Sequence, residues 1–280
     1  MKRLTVKLVE EIQEATRLGI PVEAAVASLQ SATLPGLVEY GCLRWGSNGA
    51  VPLLPKPIVE SALGQALMQV RCDLGFRSTG PPKPRLQRID TQAVEFYVID
   101  GRSGEDEEWA QFETRFDRSA QEVGFSPKSA HALQGALHEM ADNAVIHAEA
   151  PVGILVGYSV EEYMAMFSVA DVGIGVLASL RSHPAYGHLQ LHKDAIRAAL
   201  HDGTSRFGPN TRGLGFRQIF KALAAQWGHL RFRSGNGCVT LNGHGLDADQ
   251  GQETFPPSLP GFQITVCCRT AALADSSDLI

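Results

Sequence analysis

Ser126-Pro127 opens a run to about Ala148 in which Leu133, Leu137, Met140 and Ala144 fall at steps of four, three and four. That spacing predicts a helix with one apolar stripe, started by a serine N-cap and a proline at the first helical position. Strand-like runs stand on both sides of it. Ala93 to Ile99 precedes it, and Gly153 to Ser159 and Tyr163 to Ala170 follow. Glu105 to Val123 reads as a charged amphipathic helix, Phe216 to Ala225 as a later one. His229 to Arg233, Cys238 to Asn242 and Phe262 to Cys268 read as further strands.

The first third of the chain is of a different kind. Leu4, Leu8, Ile12 and Ala15 fall at helical spacing, a second helical pattern runs from Val22 to Leu29, and a third is expected over Pro57 to Leu74. Leu34 to Pro57 is rich in Gly and Pro and has no clear period. RSTGPPKPRLQR, residues 77 to 88, cannot continue a helix or pair inside a sheet, so a boundary is expected there. The division is 1–85, a small mainly helical N-terminal extension, and 86–280, the main domain. Residues 1–90 carry 11 Lys/Arg and 8 Asp/Glu, net +3, which leaves net −8 for the rest. IQEATRLGIPVEAAVASLQ has a helix, a turn and a helix, as DNA-binding helix-turn-helix units do. A dimerisation or partner-docking extension is the favoured reading and DNA binding is disfavoured.

At 280 residues, 44% hydrophobic and 20% charged, the chain can fill a core. A net charge of −5 excludes a uniformly basic nucleic-acid coat. The five cysteines form no CxxC pair, and Cys267 and Cys268 would point to opposite faces of a strand, so neither a zinc knuckle nor a disulfide framework is expected. No run of 18 apolar residues occurs and the N-terminus is charged throughout. A cytoplasmic protein is expected.

Three groups of residues carry candidate chemistry. Glu139, Asn143 and His147 follow at steps of four beside the apolar stripe; a helix packed by that stripe presents Glu139 and Asn143 to a cleft. Taken alone this is an ordinary solvated face, with His147 a helix-edge packing residue. Asp171-Val172-Gly173-Ile174-Gly175 follows an apolar strand directly. An acceptor carboxylate there, with two glycines that let backbone approach a flat ligand, suits a base with an exocyclic amine. Thr211-Arg212-Gly213-Leu214-Gly215-Phe216 opens a helix whose free N–H groups could hold phosphate.

HEMADNAVIHA, DVGIG and RGLGF, in this order and spacing, resemble the N, G1 and G2 boxes of the GHKL ATP-binding superfamily over roughly residues 90 to 270. The resemblance implies a Bergerat fold, an α/β chain of the α+β two-layer kind with a mixed or antiparallel sheet and helices on one face. It implies ATP and Mg²⁺ as cofactors, with Glu139 acting on the attacking water or hydroxyl and Asn143 ligating the metal. Asp171 would accept from the adenine amine, with Gly173 and Gly175 leaving room for the base. Arg212, Gly213, Leu214 and Gly215 would shape the phosphate loop, residues 176–210 would form a lid, and His147 and Thr265 would complete the nucleotide site. Thr211 departs from the family's GxGLG by replacing its first glycine.

All nine histidines lie at or after His131, so residues 1 to 130 hold no phosphoacceptor histidine, and only 65 residues follow Gly215. The chain is therefore similar to stand-alone modules of the anti-sigma-factor serine-kinase type. Expected is a Mg²⁺-dependent ATPase, or a kinase acting on a small regulatory protein partner in trans, and a homodimer is compatible. The alternative is a slow or non-catalytic ATP-gated interaction switch. His188 and His192, four apart within the lid, are read as polar lid residues rather than a metal clip.

Overall fold

A computed structural model describes residues 2–47, 49–69, 87–89, 92–99, 107–151, 153–201, 227–244 and 250–270. The N-terminal segment contains β1 (Lys2–Leu4), α1 (Val6–Arg17), α2 (Glu23–Ala27), β2 (Leu29–Ala32), α3 (Leu34–Gly46), α4 (Lys56–Val59) and α5 (Ala62–Gln69). Then come β3 (Gln87–Ile89), β4 (Gln92–Ile99), α6 (Glu107–Glu122), α7 (Pro127–His147), β5 (Ile154–Glu161) and β6 (Met164–Ala170). The chain continues through α8 (Gly175–Arg181), α9 (His192–Leu200), β7 (Trp227–Gly235), β8 (Gly237–His244), β9 (Gln252–Thr254) and β10 (Leu259–Arg269).

β1 and β2 form a small parallel pair. The other eight strands make one sheet in the order β3-β4-β5-β6-β10-β7-β8-β9, with every neighbouring pair antiparallel. β10 is inserted between β6 and β7, so the end of the described chain locks the middle of the sheet. The class is α+β.

Side-chain alternation divides the sheet into two faces. Tyr97, Val156, Tyr158, Phe167, Val169, Leu230, Phe232, Ile264, Val266 and Cys268 form one core with α6, α7 and α9. Leu133, Leu137, Met140 and Ala144, the stripe read from the sequence, are all buried in it. Ser126 caps α7 as expected, its Oγ accepting from Ser129 N at 3.2 Å. On the other face Phe96, Leu155, Met164, Met166 and Cys267 form a second core with α1, α3 and α5. Cys267 and Cys268 do lie on opposite faces.

The expectation of helices on one face only is thereby corrected. β5 and β6 are buried at nearly every position, which requires cover on both sides. Residues 2–69 supply the second cover and share a core with the sheet. The expected boundary near residue 85 falls outside the described residues. Two local expectations also change. The stretch from Leu34, which lacks a period, contains α3, whose residues Leu34 to Leu43 are all buried. A helix surrounded by protein has no polar face to create a period. The pattern from Val22 to Leu29 yields only the five-residue α2 before β2 begins.

Gly157 marks the contact between β5 and α3. A Cβ there would lie 2.5 Å from the Phe96 ring and 3.3 Å from Leu34 Cδ1, both belonging to buried side chains. Gly157→Ala is expected to lower stability by about 1–3 kcal/mol, because neither neighbour has space to retreat. A urea midpoint unchanged from wild type would contradict this packing.

A buried ionic cluster ties the N-terminal segment to the sheet. Glu39 of α3 accepts from Arg231 Nε at 3.0 Å and Arg233 Nη1 at 2.7 Å, both on β7. Arg231 also meets Glu10 of α1 at 2.7 Å. Arg233 donates to Gln13 Oε1 at 2.6 Å and to the Pro257 carbonyl at 2.7 Å. Burial would raise the Glu39 carboxyl, but the two guanidiniums outweigh it and hold Glu39 below the usual carboxylate range.

Candidate functional site

The C-terminal end of α7 meets the turn that follows β6. Ile174 N donates to the Ala148 carbonyl at 2.9 Å, and a Cβ on Gly173 would collide with that same oxygen. Only glycine allows this approach, which joins the helix carrying Glu139, Asn143 and His147 to the loop carrying Asp171. The three helix residues are partly buried. Each step of four along α7 advances about 6 Å on one side of the helix.

Asp171 is fully buried where β6 ends. By alternation from Phe167 and Val169 it faces the α7 side of the sheet. Its Oδ1 accepts from Gly173 N at 2.7 Å, closing an Asx turn, and its own N–H donates to the Phe262 carbonyl at 3.0 Å. Its Oδ2 is buried without a hydrogen-bond partner. Burial pushes the carboxyl up to about 7, against the opposing pull of the Gly173 and Phe262 backbone contacts.

This shift makes folding favour the protonated form. The stabilisation is full below the ordinary pKa near 4 and is lost as pH rises through about 7. Asp171→Asn removes the titration, and its amide NH₂ faces a small unsatisfied-donor penalty instead. The ligand-free variant is expected to be more stable than wild type at pH 8, by on the order of 1–2 kcal/mol, and to lose that advantage near pH 5. Thermal unfolding at the two pH values checks it, and a variant less stable than wild type at pH 8 would contradict the burial of this charge.

Residues that sequence reasoning did not single out hold the loop in place. Ser234 Oγ on β7 accepts from Val176 N at 3.0 Å and donates to the Gly261 carbonyl at 2.8 Å. Gly261, at φ +71°, lies so close that a Cβ would strike Asp171. Gln263 donates to the Asp171 carbonyl at 3.3 Å and the Pro260 carbonyl at 3.0 Å. Gly175, at φ +74°, starts α8 beside Ser234. The glycine in Pro260-Gly261-Phe262 was the one available signal. Ser234 becomes visible only when β7 and β10 are paired.

Thr265 does not join this site. Ile264 and Val266 point to the α7 side, so Thr265 points to the opposite face, where its hydroxyl and that of Ser168 share a 2.7 Å hydrogen bond. The adenine-side role expected for it is corrected by strand register. Arg212, Gly213, Leu214 and Gly215 lie outside the described residues, as does the end of the expected lid. Within the lid, α9 is tied to β9 by Glu253, which pairs with Lys193 at 3.1 Å and also with Arg197. His183 caps a short 3₁₀ turn at Pro184–Tyr186. His192 packs over Gly235 and Gly237, and its burial lowers its pKa. Among the described residues there is no group of three or more His, Cys, Asp or Glu suited to a metal ion.

On the other side of α7, His138 bonds Glu113 Oε1 at 2.7 Å and lies 3.5 Å from Asp142. The Glu113 hydrogen bond raises its pKa to about 9, so the imidazolium beside Glu139 persists at neutral pH. No helix among the described residues is long and apolar enough to cross a membrane. No protein-family model matches the chain, and no curated protein matches it.

Proposed function

We propose that the chain is a Mg²⁺-dependent ATP-binding protein of the histidine-kinase-like ATPase superfamily, with the Bergerat fold. In this reading it hydrolyses ATP or transfers the γ-phosphate to a separate protein. The observation that carries the reading is Asp171, a buried carboxylate at a strand end with one oxygen satisfied by Gly173 and the other without a partner. A buried acceptor left open is costly unless a ligand donor completes it, and an adenine amine is such a donor. The close junction of this loop with the end of α7 supports the assignment, since it brings the Asp171 loop to the helix bearing Glu139 and Asn143.

The residues fit the cofactors. Mg²⁺ keeps most of its ligands as water and phosphate oxygens, so a single amide oxygen from Asn143 suffices. When bound it neutralises phosphate charge. Glu139, one turn before Asn143 and partly exposed, would orient or deprotonate the attacking hydroxyl. Asp171 would read the base, and Gly173 would hold the Asp171 loop against the end of α7.

Calorimetry with ATP and Mg²⁺ tests the reading. Wild type is expected to give a binding heat, and Asp171→Asn to lose about 1.5–3 kcal/mol of affinity. The amide cannot serve both neighbours: whichever way it is turned, an NH₂ group meets either the Gly173 N–H or the adenine amine. Absence of heat and of any thermal shift with millimolar ATP and Mg²⁺ would end the proposal.

A further inference from the structure

A cavity of about 350 Å³ lies on the sheet face away from α7, between the N-terminal segment and the β5–β6 hairpin. Met164, which lines it, stands at the far end of β6 from Asp171, and seven strand residues separate the two by roughly 20 Å. Its floor is apolar: Leu34, Leu63, Met164 and Met166 all belong to the second core. One wall is polar, with Gln92 Nε2 donating to Ser159 Oγ at 3.1 Å. Charged groups of both signs line the cavity: Arg3 from β1, the buried Arg269 from β10, and Glu161 and Glu162 from the hairpin. Arg3, Glu161 and Glu162 form no ion pair with another described residue.

Opposite charges around one small opening ordinarily close on each other. Here Arg3, Glu161 and Glu162 line one cavity with an apolar floor and none of them pairs with another described residue. We propose that this cavity is a ligand site for a small zwitterion with an apolar side chain, the chemistry of a free amino acid such as leucine or methionine. The α-carboxylate meets Arg3, the α-ammonium meets Glu161 and Glu162, and the side chain lies on the Leu63, Met164 and Met166 floor. The volume suits a ligand of this size, at the small end of the pocket range. Two thioether side chains adapt to branched or unbranched chains alike. The site is separate from the proposed nucleotide position, and its occupancy does not depend on ATP.

The test is titration calorimetry on the full chain. Leucine and methionine are expected to bind with a dissociation constant below about 1 mM, and glycine at least about tenfold more weakly because it leaves the floor uncovered. N-acetyl-leucine lacks the ammonium and leucinamide lacks the carboxylate, and each is expected to lose about tenfold or more. Arg3→Ala and the double variant Glu161→Gln, Glu162→Gln are expected to lose leucine binding to a similar degree. All three side chains are at least partly exposed, so the fold should tolerate both variants, which circular dichroism verifies. No heat from leucine or methionine at about 10 mM overturns the proposal. So does equal binding of the two blocked derivatives, or variants that bind leucine as wild type does.

Discussion

Glu139→Ala is expected to lower ATP turnover by about 10²–10⁴-fold while ATP affinity stays within about twofold of wild type. Under the proposed function Glu139 would act on the nucleophile and not on the base or the metal, so its loss would remove a proton acceptor and no binding contact. Asn143→Ala serves as the contrast. It is expected to weaken the Mg²⁺-dependent part of binding and to leave the metal-free part alone. Turnover is read as released phosphate, or as label passed to a second protein when a partner is supplied. With no histidine before His131, residues 1 to 130 of the purified chain should acquire no phosphohistidine. Equal turnover in wild type and Glu139→Ala would remove Glu139 from the mechanism and leave the ATP-gated switch as the surviving function.

The largest stability effect is expected at Glu39. Glu39→Ala leaves Arg233, fully buried, without a carboxylate partner, and leaves Arg231 with Glu10 alone. Uncompensated buried charge of this kind costs about 3–5 kcal/mol, a large fraction of a domain's whole stability. The pH dependence has the same origin. Because Glu39 is held below its unfolded pKa, its contribution is present above that value and is lost as pH falls through the folded one. Replacing Glu39, Arg231 and Arg233 together by apolar residues of similar volume should recover much of the loss, since the desolvation cost disappears with the charges. Urea unfolding of the two variants decides it, and a Glu39→Ala cost under about 1 kcal/mol would show that water reaches the cluster. A further consequence follows from Arg233, which also holds the Pro257 carbonyl, just ahead of β10 and Gly261. The N-terminal segment thus braces the strand on which the Asp171 loop rests.

Much of the sheet and its α7 cover was legible before any tertiary information. The Ser126-Pro127 start, the stripe through Ala144 and the apolar strand-like runs at β4, β5, β6 and β10 are local signals, and each element forms close to where its signal lies. The candidate site was legible to the same degree. Asp171, Gly173 and Glu139 stand on a strand end, a turn and a helix whose identities local sequence determines. Even the double cover had a trace, because MAMFSVA is apolar at nearly every position, as a strand buried on both faces must be.

What local sequence left open depends on pairings between distant segments. α3 carries no period because protein surrounds it, and that protein includes β5, β6 and β10, more than a hundred residues away. Thr265 stands on a strand of sound prediction, yet strand register alone puts its hydroxyl against Ser168 and away from Asp171. The acidity of Asp171 likewise depends on burial at the meeting of β6, β10 and α7. Helix starts and strand runs are short-range preferences written in neighbouring residues. Facing, burial and charge balance are set only when remote chain segments exclude water from one another.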